Sequence, residues 1–135
     1  MRHYFLALTA LALAGSTTLP AQAPRPPGST RTDLQRHDLS ISGREAIQLR
    51  VDFAPGGSFP SHRHPGEEII YVLQGTLEYQ LEGQPPVRLD AGQVLFVPAG
   101  VFHSARNVGS TPGSELATYV VEKGRPLTEF APRTP

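Results

Sequence analysis

The chain contains no cysteine among its 135 residues. Disulfide scaffolds, thiol catalysis, Cys-based zinc sites and Cys-ligated iron–sulfur clusters are therefore excluded. Net charge is absent as well, because 12 Lys and Arg balance 12 Asp and Glu. Proteins that bind nucleic acids or membrane surfaces electrostatically normally carry a basic excess, so the sequence argues against both kinds of partner. The length corresponds to one domain.

The apolar run near the N-terminus is too short to cross a membrane. It covers residues 4–14, about eleven residues against the roughly 20 that a spanning helix needs. A short basic start precedes the run, and small residues at Ala21 and Ala23 follow it, which is the pattern of a secretory signal peptide. We therefore predict a signal peptide over residues 1–23, with Ala21 as the alternative cleavage position. The expected location is periplasmic or secreted, with no membrane contact after removal of the leader.

Proline and glycine divide the rest of the chain into short segments. The sequence has 14 Pro and 13 Gly, which favours short strands joined by turns over long helices. Residues 24–32 are rich in Pro, Gly and Ser, a composition typical of an extended linker. We expect the folded domain over residues 33–122, followed by a tail, residues 123–135, that is either packed on the domain or free.

Alternating apolar and polar residues predict β-strands. Over residues 47–53 and 76–82 apolar side chains occupy every second position, which is the period of a half-buried strand. Residues 94–97 and 118–121 are short β-rich runs, and no segment has the pattern of a three-turn helix. Short strands separated by turn signals indicate an all-β sandwich or barrel.

The strand predicted over residues 69–73 is apolar on both faces. Its even-numbered residues suit the interior, which leaves an outer face that is also apolar. Exposed apolar stripes tend to mark interfaces. Two hypotheses follow: this face is buried in a homodimer, or the tail covers it with Leu127 and Phe130. The residues of the outer face are Ile69, Tyr71 and Leu73.

A first histidine cluster combines two imidazoles with a carboxylate. Residues two apart on a strand point the same way, so His62 and His64 present both rings on one face. After a Pro-Gly turn, Glu68 has the parity of an inward residue, whereas Glu67 has the opposite parity and is expected at the rim. Two neutral imidazoles and one carboxylate suit a divalent metal of borderline softness.

A second cluster completes the expected site. The Pro-Ala-Gly turn that ends at Gly100 could bring His103 back across the barrel to the first cluster. We therefore expect one divalent transition metal, which is Fe, Mn, Ni, Cu or Zn. His37 stands alone and is expected at the surface. The predicted metal ligands are His62, His64, Glu68 and His103.

The two clusters together resemble the sequence motifs of small single-domain cupins. Every fixed Gly, His, Glu, Pro and Asn of both motifs is present at the family's spacing. The resemblance covers about residues 45–121 and implies a single jelly-roll β-barrel with a metal at its open end. The first motif is matched by Gly56, His62, His64, Glu68 and Gly75, and the second by Gly92, Pro98, Gly100, His103 and Asn107.

The resemblance also implies a choice of activities. Three imidazoles and one carboxylate leave one or two metal positions for a substrate or dioxygen. The first hypothesis is a dioxygenase-type oxidoreductase that acts on a small enolisable or oxygenated organic molecule, with Glu68 as a proton shuttle when it loosens from the metal. The alternatives are a non-catalytic periplasmic module that binds a small ligand and holds a structural metal, and a metal-dependent isomerase.

Several residues outside the ligand set also have expected positions. We expect Gly100 to need a positive φ and Asn107 to form hydrogen bonds at a turn or strand end. The parity of Gln48, Arg50 and Gln80 places them on the outside. Four aromatic residues are candidates for the core or the pocket wall: Phe53, Tyr79, Phe96 and Phe102.

Overall fold

The computed structural model describes residues 28–132. The signal peptide predicted over residues 1–23 lies outside the described residues, as do residues 24–27 and 133–135. Strands account for the regular secondary structure of the described part. In residues 28–132 no helix has the length and apolar character that crossing a membrane requires.

Ten strands follow one another along residues 28–132. Each of the five segments predicted to be strands falls within one of them or overlaps it, which confirms those predictions. The strands are β1 (Ser29–Asp38), β2 (Arg44–Phe53), β3 (Ser58–Arg63), β4 (Gly66–Gln74), β5 (Thr76–Leu81), β6 (Val87–Asp90), β7 (Val94–Val97), β8 (His103–Asn107), β9 (Gly113–Glu122) and β10 (Glu129–Phe130).

The strands form two five-stranded antiparallel sheets. The first sheet has the order β1-β2-β9-β4-β7, and the second has the order β10-β3-β8-β5-β6. Neighbouring strands in both sheets are mostly distant in sequence, so the chain crosses repeatedly from one sheet to the other. This arrangement is a jelly-roll β-barrel, as predicted.

The core lies where the inward residues of the two sheets meet. Phe53 on β2 and Tyr79 on β5 are both buried, so these two aromatic candidates belong to the interior as predicted. Full burial of a large apolar side chain contributes about 1.5–3 kcal/mol to stability. Arg50 and Gln80 are exposed, which agrees with their outward parity.

The other two aromatic candidates are not in the core. Phe96 lies on β7, an edge strand of the first sheet, and is 57% exposed, so its predicted position in the core or pocket wall is wrong. Its partner in the β4–β7 ladder is Ile69, which also points outward. Phe102 is half-buried, with the Arg63 guanidinium 4.9 Å from its ring centre. A run of four apolar residues, as in β7, does not indicate which parity faces the core.

The predicted linker, residues 24–32, extends too far and needs correction. Residues 29–32 are the first part of β1, which pairs with β2 from Ser29 opposite Phe53 to Asp38 opposite Glu45. The prolines and the glycine that suggested a linker all lie at or before Gly28. From Ser29 onward the backbone groups of β1 form hydrogen bonds with β2. This pairing determines the local structure more strongly than composition does.

The apolar outer face predicted on β4 is present. Ile69, Tyr71 and Leu73 are each at least 40% exposed, and Val94 and Phe96 of β7 continue the same face. The tail lies elsewhere, because β10 pairs with β3 in the second sheet. The hypothesis that the tail covers this face is therefore wrong, and the homodimer stays a prediction.

The side chain of Asn107, at the end of β8, links the end of β2 to the loop between β8 and β9. It is 1% exposed. The Nδ2 atom donates to the backbone carbonyls of Phe53 at 3.2 Å and Thr111 at 2.8 Å, and Oδ1 accepts from the Gly109 amide at 2.9 Å. The predicted role at a strand end is thereby confirmed. Likewise, Gly100 has a φ of 75°, as expected for its turn.

We predict that Asn107→Ala lowers the free energy of unfolding by about 2–4 kcal/mol, because several buried backbone groups lose their partner. Urea denaturation of the purified protein measures the change. His37→Ala is the control: His37 is exposed on β1, and its replacement should shift the free energy by less than about 0.5 kcal/mol. Equal stability of both variants would contradict the structural role given to Asn107.

Candidate metal centre

Three strands and one loop bring the candidate ligands together. His62 lies near the end of β3 and pairs with His103, the first residue of β8, so these two rings are neighbours in the second sheet. His64 follows β3 directly. Glu68 lies on β4 of the first sheet, opposite Tyr119 of β9. The site therefore joins the two sheets at one end of the barrel.

The four side chains converge inside the protein. Each is buried, and one potential ligand atom from each lies within 4.8 Å of the others. The Nε2 atom of His103 is 2.9 Å from Glu68 Oε2, and that of His64 is 3.3 Å from it. The ring centres of His62 and His103 are 4.2 Å apart. All four residues named from the sequence are thus in one cluster.

Each imidazole is oriented by a backbone carbonyl. The Nδ1 atom of His62 donates to Pro60 O at 2.8 Å. That of His64 donates to Leu127 O at 2.6 Å, and that of His103 donates to Val101 O at 3.1 Å. A neutral imidazole that donates from Nδ1 carries its lone pair on Nε2. The hydrogen bonds therefore direct three nitrogen lone pairs toward the cluster centre, as metal-binding histidines require.

Two buried atoms of this cluster lack a well-formed hydrogen bond, namely His64 Nε2 and Glu68 Oε2. Buried polar atoms normally have partners. Here imidazole lone pairs face a carboxylate oxygen, and such groups repel one another unless a cation, either a proton or a metal ion, lies between them. Imidazole nitrogens and one carboxylate are a donor set that divalent transition metals accept. The residues present therefore fit a metal ion.

The protonation states suit metal binding. Burial lowers the pKa of His62 to about 3, and the nearby His103 and His64 rings act in the same direction. Burial alone would raise the pKa of Glu68. In the absence of a metal, a proton on the facing nitrogens of His103 and His64 supplies hydrogen bonds and positive charge that outweigh burial and hold the pKa below its usual range. Neutral imidazole and ionised carboxylate are the forms that coordinate metals.

The other candidates from the sequence lie apart from the cluster. Glu67 is half-buried on the opposite face of β4, as its parity predicted, and His37 is exposed on β1. Neither belongs to the group of side chains that could hold a metal.

Sequence reasoning missed the part that the tail plays. Leu127 supplies the carbonyl that orients His64. Phe130 stacks on Phe59 with 5.9 Å between ring centres and lies 6.2 Å from the His62 ring. An exposed ion pair between Arg63 and Glu129, at 2.7 Å, joins β10 to β3 at the surface. No periodic pattern marks this segment, because a backbone carbonyl can be supplied by any residue type.

Sequence reasoning also missed a second carboxylate inside the barrel, Glu115 on β9. It is buried and accepts a hydrogen bond from the Tyr79 hydroxyl. Tyr119 lies on the same inward face of β9. Its ring centre is 4.7 Å from that of His64. In β9, Glu115, Ala117 and Tyr119 alternate with outward residues and share the inward face.

The cluster faces a small cavity. Its volume is about 20 Å³, which leaves room for about one water molecule. Apolar side chains form much of the wall: Val51, Phe59, Ile70 and Ala105. The polar groups that share it with the four candidate ligands are Arg31, Tyr79, Glu115, Tyr119 and Thr128.

Comparison with known proteins agrees with this geometry. Residues 49–124 match the cupin domain family. The chain belongs to the cupin family. Dimethylsulfoniopropionate lyase DddQ of Ruegeria pomeroyi is 40% identical to this cupin over 63 residues, 46% of this chain and 31% of that protein. Oxalate oxidase GF-3.8 of Triticum aestivum is 33% identical over an alignment of 143 residues, 96% of this chain and 58% of that protein.

Solved structures show the same relationship. Recombinant oxalate oxidase in complex with glycolate superposes with a TM-score of 0.64 at 30% identity, over 78% of this chain and 56% of that chain. This cupin spans between about a third and three-fifths of the length of the two curated relatives above. The family and the buried cluster of three histidines and one glutamate together identify a metal-binding cupin.

We predict that removing the tail weakens metal binding. A chain that ends at Arg125 lacks the Leu127 carbonyl, so the His64 ring loses the hydrogen bond that orients it. The loss of such an outer partner typically weakens metal affinity by about 10–100-fold, which competition with a chromogenic chelator measures. A chain that ends at Pro132 keeps this hydrogen bond and is the control. Equal affinity of the two truncated chains would contradict the role of the tail.

We also predict that Glu115 makes the stability of the metal-free protein depend on pH. Burial, with the Glu68 charge second, raises the pKa of Glu115 to about 8 from an ordinary value of 4.5. Between these values the unfolded chain releases the proton while the folded protein keeps it, so the free energy of unfolding falls as pH rises.

The measurement is urea denaturation of chelator-treated protein at about pH 5 and pH 8. Glu115→Gln has no proton to release, so its stability should fall less over this interval than that of the unmodified protein. His62 and the other titrating groups are common to both proteins, and the difference between the two profiles isolates Glu115. Parallel profiles would show that Glu115 is ionised in the folded protein.

Proposed function

We propose that His62, His64, Glu68 and His103 hold one divalent transition metal and that this cupin is an oxidoreductase of the dioxygenase type. The proposed substrate is a small enolisable or oxygenated organic molecule. One observation carries the proposal: the three imidazoles and the Glu68 carboxylate converge on a common centre inside the protein, beside a small cavity. The similarity to oxalate oxidases supports an oxidative reaction.

A bound metal would supply Lewis acidity, and with a redox-active ion also electron transfer, at a centre with positions left for a small ligand. The residues of the chain supply the remaining conditions. Val51, Phe59 and Ile70 line the cavity with apolar surface, and its small volume limits the water inside it. Exclusion of water strengthens every electrostatic interaction inside the site.

Glu68 is the proposed proton shuttle. It is the acidic member of the cluster, and its carboxylate contacts His64 and His103 rather than a cationic Lys or Arg side chain. A carboxylate that releases a metal position can accept a proton from a bound substrate and return it later. This role requires the ionised form, which the low pKa of Glu68 provides.

The small cavity favours a second candidate as well. With room for about one water molecule, the site also suits a structural metal in a non-catalytic module that binds its small ligand elsewhere. In that case loss of the metal would unfold the protein.

The proposed location remains periplasmic or secreted, on the pattern of residues 1–23. The apolar outer face of β4 and β7 supports the proposed homodimer.

Elemental analysis of the untagged protein, exported to a bacterial periplasm, tests the metal site. We expect about one iron, manganese, nickel or copper per chain. His64→Ala and Glu68→Ala each remove a ligand and should lower the metal content well below that of the unmodified protein, whereas His37→Ala should leave it unchanged. Equal loss in all three variants would refute the ligand set.

Two further measurements separate the candidates. Oxygen uptake by the metal-loaded protein with small oxygenated acids, absent in Glu68→Ala, supports the oxidoreductase. A metal whose spectrum does not respond to azide, together with unfolding on metal removal, supports the structural module. Zinc in the purified protein without oxygen uptake would contradict the oxidoreductase.

A further inference from the structure

The cavity beside the candidate metal ligands is closed to anything larger than about one water molecule. Its volume is about 20 Å³, and all four ligands are buried. A metal ion with its hydration shell, or an organic molecule, is larger than this space. Either one reaches the cluster only when part of the wall moves, and the part that moves is the one held by the weakest contacts.

Most of the wall belongs to strands that are paired on both sides. Val51, Ile70 and Tyr79 lie on β2, β4 and β5, and Ala105 and Tyr119 lie on β8 and β9. Each of these strands has a neighbour on either side in its sheet. β1, at the edge of the first sheet, pairs with β2 along nearly its whole length. Moving any of these strands breaks long ladders of backbone hydrogen bonds, so the opening lies elsewhere.

One wall residue, Thr128, belongs to a short segment of the tail. This segment, residues 126–131, is called the C-terminal strap below. Its strand β10 has only two residues and, among the strands of residues 28–132, pairs only with β3. Beyond β10, the Ala131 amide donates to the Ser61 carbonyl at 2.9 Å. An element with so few backbone hydrogen bonds opens at a lower free-energy cost than a central strand.

Side-chain contacts add little to the hold on the strap. The ion pair between Arg63 and Glu129 is exposed, and exposed ion pairs contribute little to stability. Phe130 stacks on Phe59 but is itself 37% exposed. Leu127 packs against an apolar cluster of the first sheet and is half-buried. The strap can therefore leave its place while the two sheets stay folded.

A much larger space lies on the outer side of the strap. It is a groove of about 670 Å³, a size at which proteins bind small molecules. His64 and Thr128 line both this groove and the inner cavity, so they form the partition between the two spaces. The Leu127 carbonyl orients the His64 ring. Movement of the strap would therefore displace Thr128 and release His64 at the same time.

We propose that the C-terminal strap is the gate of the metal centre: its release from β3 opens the inner cavity into the outer groove, and its return closes the cavity again. This inference rests on the proposed metal site and adds the route by which metal and ligand reach it. Release breaks the short β10–β3 pairing and leaves the ladders of both sheets intact. The gate therefore controls the rates of entry and exit, whereas the closed state determines the affinity.

A disulfide that fixes the strap to β3 tests the gate. Arg63 and Glu129 are partners in the β10–β3 ladder, and directly opposed residues lie within the Cα separation that a disulfide spans. The chain has no cysteine of its own, so Arg63→Cys/Glu129→Cys can form one disulfide only. We expect the oxidised, metal-free variant to take up Zn²⁺ from a chromogenic indicator at least about tenfold more slowly than Arg63→Ser/Glu129→Ser, with similar final affinity.

Glu78→Cys/Arg88→Cys is the matched control. It also replaces an ion pair between ladder partners by a disulfide, but at the edge of the second sheet opposite to β10. It should leave Zn²⁺ uptake unchanged. Equal uptake by the oxidised strap variant and its serine counterpart overturns the gate, because the metal then enters elsewhere. Slowing by both disulfides alike also overturns it, since general stiffening is then the cause.

Hydrogen exchange of the metal-free, full-length protein tests the opening without a metal and decides the question if the disulfide does not form. The Ala131 amide is bonded across to Ser61, so it exchanges when the strap is released. We expect it to exchange at least about 100-fold faster than the amides of the β4–β9 ladder, at a rate that low urea concentrations leave unchanged. Exchange of Ala131 at the slow, urea-dependent rate of the ladder, with normal Zn²⁺ binding, overturns the gate alone. Absence of Zn²⁺ binding by the unmodified protein overturns the proposed metal site and this inference together.

Discussion

The hydrogen bonds from three imidazole Nδ1 atoms to backbone carbonyls are the constraint on which the site depends. They come from Pro60, Val101 and Leu127. Two of these carbonyls belong to residues two positions before the histidine they hold, so the local strand geometry supplies them. The third comes from the tail, about sixty residues away in sequence, and it links the folding of the C-terminal segment to the electronic state of His64.

Close backbone contacts between strands give the cluster its position. Gly66 begins β4 beside β9, and a Cβ atom there would lie 2.1 Å from the Val120 carbonyl oxygen. Only glycine permits this approach, which places Glu68 opposite Tyr119 and inside the barrel. The outward side of the same strand then carries Ile69, because alternate residues of a strand face opposite ways.

The sequence alone predicted the alternating strands, the jelly roll through the cupin motifs, and the four residues of the cluster. It failed where no pattern carries the information. Phe96 lies in an unbroken apolar run without parity, β1 has a polar sequence that pairs through its backbone, and Leu127 acts through a carbonyl that every residue type has. Glu115 lies on β9 beyond the short β-rich run that the sequence showed, and a lone acid in a strand carries no motif.

The cluster of candidate metal ligands also affects the stability of the fold. The chain has no cysteine, so no disulfide joins its two sheets, and the cluster contains Glu68 from the first sheet and His62 and His103 from the second. An ionised, buried Glu68 without a cation costs several kcal/mol. A metal ion would offset this cost and cross-link the sheets, which would couple metal binding to folding. A neutral Glu115 limits the negative charge of this cavity to Glu68, which a single divalent ion would more than balance.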